Sequence, residues 1–284
     1  MVLTIRAMTP DDAPTAVALA SAEGWRDRTR FWDLVFRTET CRAIAGEVDG
    51  RVVATGLAVV NGTVGWLGGL IVAKARRGRG YGRAMTEELI RRLQAAGCVT
   101  LSLEATDAGR PMYERLGFHH MSAYHQIEAG HLNVRPDPPP DRLIRPLRPD
   151  DLAAVCELDQ LATGEDRSAA LRVLAELNGG WILEQRGGPH GGRPAGFLLP
   201  TERTYGAVVA PRFDDGLFLL DLHRWVAPDE SSVRAGIPHE HQKGWQELIA
   251  RGWSETWRAP RLILGPSIDW QPDWIWGQIN SAMG

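Results

Sequence analysis

Leu70-Ile71-Val72-Ala73-Lys74-Ala75-Arg76-Arg77-Gly78-Arg79-Gly80-Tyr81-Gly82 is an apolar run that breaks into a glycine-rich and arginine-rich turn. Beyond it Met85, Leu89 and Leu93 recur at helical spacing, so the order reads strand over 63–72, turn, then helix over 80–96. Gly78, Gly80 and Gly82 lack a Cβ, so the turn accepts φ above zero and backbone N–H groups can approach an anion closely. The helix start adds unpaired donors and the positive end of its dipole. Arg76, Arg77 and Arg79 add charge suited to phosphate. A dinucleotide fingerprint fails because Arg83 stands where its third glycine belongs, and a nucleotide P-loop fails for want of Gly-Lys-Ser/Thr. A glycine-rich turn on a basic loop with no ligand is the remaining alternative.

Outward from that turn the first half alternates α and β. Helices are predicted over 11–23 and 27–38. The β-rich runs 41–48, 51–60 and 63–72 are joined by the hairpin signals Asp49-Gly50 and Asn61-Gly62. Gly97 ends the helix after the turn and 99–103 reads as a strand; a short helix over 109–116 closes at Gly117. That last helix carries Pro111-Met112-Tyr113-Glu114-Arg115-Leu116-Gly117-Phe118.

These two segments, in this order, resemble the GNAT superfamily of N-acetyltransferases. The family signature is an apolar strand, then Arg/Gln-x-x-Gly-x-Gly/Ala, then a helix, and Arg77, Gly80 and Gly82 stand at the defining positions. The resemblance implies an α/β fold with a mixed, mostly antiparallel sheet flanked by helices. It implies that the amides of Gly78, Arg79, Gly80, Tyr81, Gly82 and Arg83, with Arg77, hold the pyrophosphate of acetyl-CoA, and that Leu70, Ile71 and Val72 pair with the pantetheine arm. Lys74 replaces a frequent proline, and Thr106 an asparagine that holds the pantetheine in many members. Tyr113 matches the tyrosine that sits beside the CoA sulfur.

Acyl transfer from a thioester to an amine needs a base, oxyanion stabilisation and a proton for the departing thiolate. A phenol is able to protonate a thiolate whose pKa is about 8.5, which makes Tyr113 the candidate acid; an ordinary core aromatic is the alternative reading. The backbone donor of Val72 is placed to serve the oxyanion. Glu104 ends the strand before Tyr113, and alternation puts it on the Ser102 face, away from Leu101 and Leu103, as a candidate base or as a plain solvated carboxylate. For an amine acceptor the candidates are Glu23, Trp25, Trp32 and Asp33, although Trp32 and Phe36, four apart, also suit a buried helix face.

The chain repeats itself. Ile5-Arg6-Ala7-Met8-Thr9-Pro10-Asp11-Asp12 recurs as Ile144-Arg145-Pro146-Leu147-Arg148-Pro149-Asp150-Asp151, each copy a short strand running into a helix start. The proline-rich stretch 133–141 between them is a stiff linker. We therefore expect a catalytic domain over 1–135 and, over 141–284, the degenerate GNAT-like half found in some tandem members. The second half has no second glycine cradle. Its predicted strands are 181–184, 195–199, 207–209 and 217–220, with a hairpin loop at 187–192 and a helix over 242–250. Eight of the eleven tryptophans lie there, suited to core or interface. His239-Glu240-His241 lacks the i, i+4 spacing of a zinc helix and reads as a surface loop.

At 284 residues with a formal charge of −3, the chain is large enough for two domains and lacks the basic excess of a general nucleic-acid binder. Cys41, Cys98 and Cys156 are far apart and read as buried free thiols. No signal peptide or membrane-length apolar run is evident, so a cytoplasmic protein without a membrane partner is expected. The expected activity is transfer of an acetyl group from acetyl-CoA to a small-molecule amine, with no metal and one active site per chain. Family members often dimerise, which leaves a homodimer open. A longer acyl-CoA donor, or a CoA-binding sensor without turnover, are the alternatives.

Overall fold

The computed structural model describes residues 2–25, 28–187, 194–201, 205–228 and 231–284. In the first half the elements run β1 (Thr4–Ala7), α1 (Ala13–Ser21), α2 (Thr29–Arg37), β2 (Cys41–Val48), β3 (Arg51–Asn61), β4 (Val64–Val72), α3 (Tyr81–Ala95), β5 (Thr100–Glu104), α4 (Arg110–Arg115) and β6 (His119–Gly130). The second half repeats the order: β7 (Arg142–Pro146), α5 (Leu152–Thr163), α6 (Ser168–Asn178), β8 (Trp181–Gln185), β9 (Gly196–Thr201), β10 (Tyr205–Val209), α7 (Phe213–Val226), β11 (Ser232–Pro238), α8 (Gln242–Ala250) and β12 (Ser254–Leu264), followed by a short β13 (Ile275–Gly277).

The sequence repeat has a physical cause. Arg6 forks onto Asp12 at 2.7 and 2.8 Å and also reaches Glu47 on β2, while Asp12 accepts the Thr9 N–H. In the second half Arg145 forks onto Asp151 at 2.7 and 2.8 Å and reaches Glu184 on β8, while Asp151 accepts the Arg148 N–H. In each half this ties the first strand, the following helix entry and the second strand together with charge-assisted bonds. The neighbouring guanidinium holds the Asp12 carboxyl down to about 2.

The strands do not respect the boundary near residue 140. The large sheet has the order β1-β2-β3-β4-β5-β12-β6-β11, so β12 of the second half lies between β5 and β6 of the first. Symmetrically, β6 lies between β12 and β11. All contacts are antiparallel except β4 with β5, which pair in parallel only over Val64–Trp66 and Thr100–Ser102 before they part. A second sheet has the order β13-β10-β9-β8-β7.

One core, with Phe31, Trp32, Leu57 and Trp66, also takes in Leu158, Leu171 and Leu174 of the second half. On the other face α3 packs Met85, Leu89 and Leu93 on Leu101 and Leu103. Where the halves meet, Glu165 is buried and accepts from Trp66 Nε1 at 2.7 Å, Asn61 Nδ2 at 3.0 Å and Arg261 Nη2 at 2.8 Å. Arg261 also donates to Ser102 Oγ at 3.0 Å and lies over the Trp66 and Trp270 rings.

Several expectations change. Residues 217–220 are not a strand; they lie inside α7, whose Leu217, Phe218, Leu219, Leu220 and Leu222 are all buried. A helix covered on all sides loses the polar face that would reveal its period. His239-Glu240-His241 is not simply a surface loop, because His241 is buried with its ring edge-on to Trp276. Of the three free cysteines only Cys98 is buried; Cys41 and Cys156 are partly exposed. The hairpin loop at 187–192 falls largely outside the described residues. Among the described residues no helix is long and apolar enough to cross a membrane, and no cluster suited to a metal occurs.

Breaking a buried ion pair from one side leaves the other charge uncompensated. Glu165→Ala should therefore destabilise the chain by about 3–5 kcal/mol, read as a lower urea midpoint. An unchanged midpoint would show that Arg261 finds equal compensation elsewhere.

Candidate active site

The parting of β4 and β5 opens the sheet where the two sequence segments meet. The β3–β4 register slips between Thr55 and Leu57, leaving a bulge at Gly69, whose φ is 56° and whose carbonyl accepts the Thr55 hydroxyl at 3.0 Å. A bulge re-aims the strand beyond it. Leu70, Ile71 and Val72 follow on β4, and the chain then turns through 78–82 into α3.

Gly78 and Gly80 have φ of 74° and 81°, and open space surrounds both. This is the left-handed region that glycine enters without penalty. Gly82 and Arg83 stand in the first turn of α3, at the positive end of its dipole. A Cβ on Gly82 would lie 3.7 Å from Met112 Sδ and 3.8 Å from Val72 Cγ2. The cradle, the end of β4 and the helix of Tyr113 therefore converge.

The side chains around the cradle differ from expectation. Tyr81 is buried against Val48 and Val53, so its ring anchors the loop. Arg77 pairs with Glu23 at 2.6 Å and donates to the Val72 carbonyl at 3.0 Å, and that guanidinium lowers the Glu23 carboxyl below its ordinary range. Arg83 pairs with Glu87 along α3, and Arg79 is exposed. Arg77 and Arg83 are thus both turned to intramolecular carboxylates. Lys74 Nζ donates to the Ala22 carbonyl at 3.1 Å, so the segment after α1 is tied to the cradle twice.

Tyr113 lies on the α3 face, edge-on to Phe118 at 5.9 Å, and burial pushes its phenol up to about 12. It thus keeps its proton throughout the neutral range. Glu104 points to the opposite face, as alternation along β5 predicts. It is partly exposed. Burial raises its carboxyl to about 7, against opposing hydrogen bonds from Gln278, Ser281 and Gln126 and the Arg261 charge. Gln278 Nε2 donates to Glu104 Oε1 at 2.6 Å and Gln126 Nε2 to Oε2 at 3.3 Å. Tyr205 Oη lies 3.5 Å from Gln126 Oε1. No sequence signal marked Gln126, Gln278 or Tyr205, because they come together only when segments far apart in the chain are paired.

The acceptor candidates divide. Glu23 and Trp25 stay near the cradle, with the Arg28 guanidinium 5.1 Å from the Trp25 ring centre. Trp32 is core, packed on Phe31 and Phe36, and does not reach the site. Asp33 is exposed and paired with Arg37 along its own helix. The Thr106 hydroxyl accepts the Gly109 N–H at 3.2 Å and so braces the start of α4.

In the second half the corresponding place is filled. β13 pairs with β10, and Trp276 is buried with its Nε1 donating to the Ala210 carbonyl at 3.2 Å. A Cβ on Gly216 near the start of α7 would lie 2.0 Å from the Trp276 ring, and Asp214 and Asp215 occupy the first turn where a phosphate would be repelled.

Comparison with known proteins bears on family and fold. Residues 7–118 match the model of the acetyltransferase (GNAT) family. An uncharacterized N-acetyltransferase of Bacillus subtilis is 26% identical over 222 residues, covering 77% of this chain and 76% of its own. A crystal structure from Pyrococcus horikoshii, described as a proposed acetyltransferase, superposes with a TM-score of 0.84 at 19% identity over 99% of this chain and 96% of its own. A tandem GNAT protein from the clavulanic acid biosynthesis pathway superposes with a TM-score of 0.66 at 17% identity over 94% of this chain and 100% of its own. These two structures establish the shared fold.

A β-branched residue is strained at positive φ. Gly80→Val should raise the Kd for CoA about tenfold, equivalent to 1.4 kcal/mol, in calorimetry. An unaltered affinity would remove the 78–82 turn from CoA binding.

Proposed function

We propose, from the premise that the chain is an acyltransferase of the GNAT type, that it moves an acetyl group from acetyl-CoA to the amine of a small molecule. The observation that carries this reading is the placement of Tyr113 and Glu104 on opposite faces of the opening between β4 and β5. A thioester lying in that opening would present its sulfur towards the phenol and its carbonyl carbon towards an amine near the carboxylate.

The proposed sequence balances. Glu104, directly or through a water, takes a proton from the acceptor ammonium. The amine lone pair forms the C–N bond at the thioester carbonyl, and the oxyanion is met by the backbone N–H of Val72. Collapse breaks the C–S bond and the thiolate takes the Tyr113 proton; the nitrogen of the new amide gives up its remaining extra proton, which restores the phenol by way of solvent, and the proton held by Glu104 is released to solvent. The pyrophosphate of acetyl-CoA would rest on the amides of 78–82. Binding would let Arg77 exchange Glu23 for phosphate.

The pH senses of stability and catalysis are opposite. The fold favours the protonated Glu104 carboxyl, so its contribution to stability is complete below the ordinary value of 4.5 and is lost as pH rises through about 7. The base is the ionised form, so activity rises over the interval in which that contribution is lost.

With acetyl-CoA and a panel of small primary amines, wild-type protein should release free thiol. Tyr113→Phe should lower kcat by about 100-fold with CoA affinity unchanged; full turnover in this variant would remove Tyr113 as the acid. Glu104→Gln should abolish the ascending limb near pH 7 in kcat/KM. A limb that survives would place the base elsewhere.

A further inference from the structure

The Glu104 carboxylate is held by a side chain from the far end of the chain. Gln278 follows β13, and its Nε2 donates to Glu104 Oε1 at 2.6 Å across 174 residues of sequence. Its Oε1 in turn accepts from Gln126 Nε2 at 2.9 Å, and the same Gln126 amide reaches Glu104 Oε2 at 3.3 Å. The two glutamines therefore bridge both oxygens of one carboxylate and each other.

The backbone makes room for this arrangement. Gly236 on β11 lies opposite Gln126 in the β11–β6 register, and a Cβ there would lie 2.1 Å from Gln278 Oε1. Only a residue without a side chain lets Gln278 pass β11. Beyond it Ala282 lies against Gly68 of the β4 bulge region, where a Cβ would approach to 2.4 Å. The segment carrying Gln278 is thus fixed on both sides by glycines on strands of different halves.

We infer that Gln278 is a positioning residue for Glu104, so that the second half completes the acceptor side of the site it cannot host itself. This inference rests on the reading of Glu104 as the base. Gln278 presents a neutral donor to the ionised carboxylate, orients it across the opening and leaves the carboxylate charge available to an ammonium. The other groups whose fields or hydrogen bonds reach this carboxylate are Arg261 on β12, Ser281 on the same segment, Tyr124 and Gln126 on β6, and Tyr205 on β10. Arg261 is already paired with Glu165, which weakens its hold on Glu104.

Carbon NMR of chain labelled at the glutamate δ-carbons, with Glu104 assigned by its loss in Glu104→Gln, tests this directly and needs no acceptor. Wild-type Glu104 should titrate near neutrality. Gln278→Leu removes the donor to the charged form and should move the midpoint upward by about one pH unit, a tenfold change in proton affinity. Gln278→Glu, close in size, sets a second carboxyl beside the first and should move it further. Gly236→Ala should reproduce the direction of Gln278→Leu by displacing the side chain. A Glu104 midpoint that is the same in Gln278→Leu and wild type overturns the inference, as does a wild-type midpoint in the ordinary carboxylate range. The base reading has its own test: if the NMR midpoint moves as expected while the ascending limb of kcat/KM with acetyl-CoA stays in place, Gln278 positions Glu104 but Glu104 is not the base.

Discussion

The backbone hydrogen bonds that β12 makes to β5 on one side and β6 on the other are the constraint from which the rest of the molecule follows. Without β12, the β5 edge next to Glu104 would be an unpaired strand edge, and β6 would have only β11 beside it. Insertion of a strand from the second half sets Arg261 opposite Glu104 in register and carries its guanidinium to Glu165 and Ser102. The reciprocal placement of β6 between β12 and β11 brings Gln126 opposite Gly236. Two halves joined in this way share a sheet, a core and a polar network, and the fate of one site becomes a property of both.

That exchange also explains why two copies of one plan carry unequal equipment. The first half keeps a parted pair of strands, a turn with two left-handed glycines and a helix start free of acidic residues. The second half closes the equivalent gap with β13 and the Trp276 ring, and places Asp214 and Asp215 where an anion would sit. Its polar contribution goes instead across the seam, through Glu165 into the core and through Gln278 to Glu104. The Arg-Asp fork at the helix entry, by contrast, is present in both halves with the same geometry.

The turn at 78–82, the helix after it, the hairpins at Asp49-Gly50 and Asn61-Gly62 and the face of Glu104 were legible locally, since each depends on residues within one turn or one strand pair. The elements that escaped were those whose pattern is erased by burial or set by distant partners. Helix α7 is covered on all sides, and β6, β11 and β12 become strands of one sheet only by pairing with each other. Trp32, an aromatic beside a candidate acceptor loop, is claimed by Phe31 and Phe36 because its helix face points inward.

By itself the sequence determined that a strand, a glycine turn and a helix follow one another, that a tyrosine helix comes after them, and that the opening strand and helix entry occur twice with one such glycine turn. Those are short-range facts, decided by Cβ sterics, helix dipoles and hydrophobic period. Only the tertiary structure decided that the halves interleave, that Arg77 is held by Glu23, and that Glu104 is gripped by Gln126 and Gln278. Hydrogen bonds between residues 174 positions apart depend on register and sheet order, and neither is written in any one stretch of the chain.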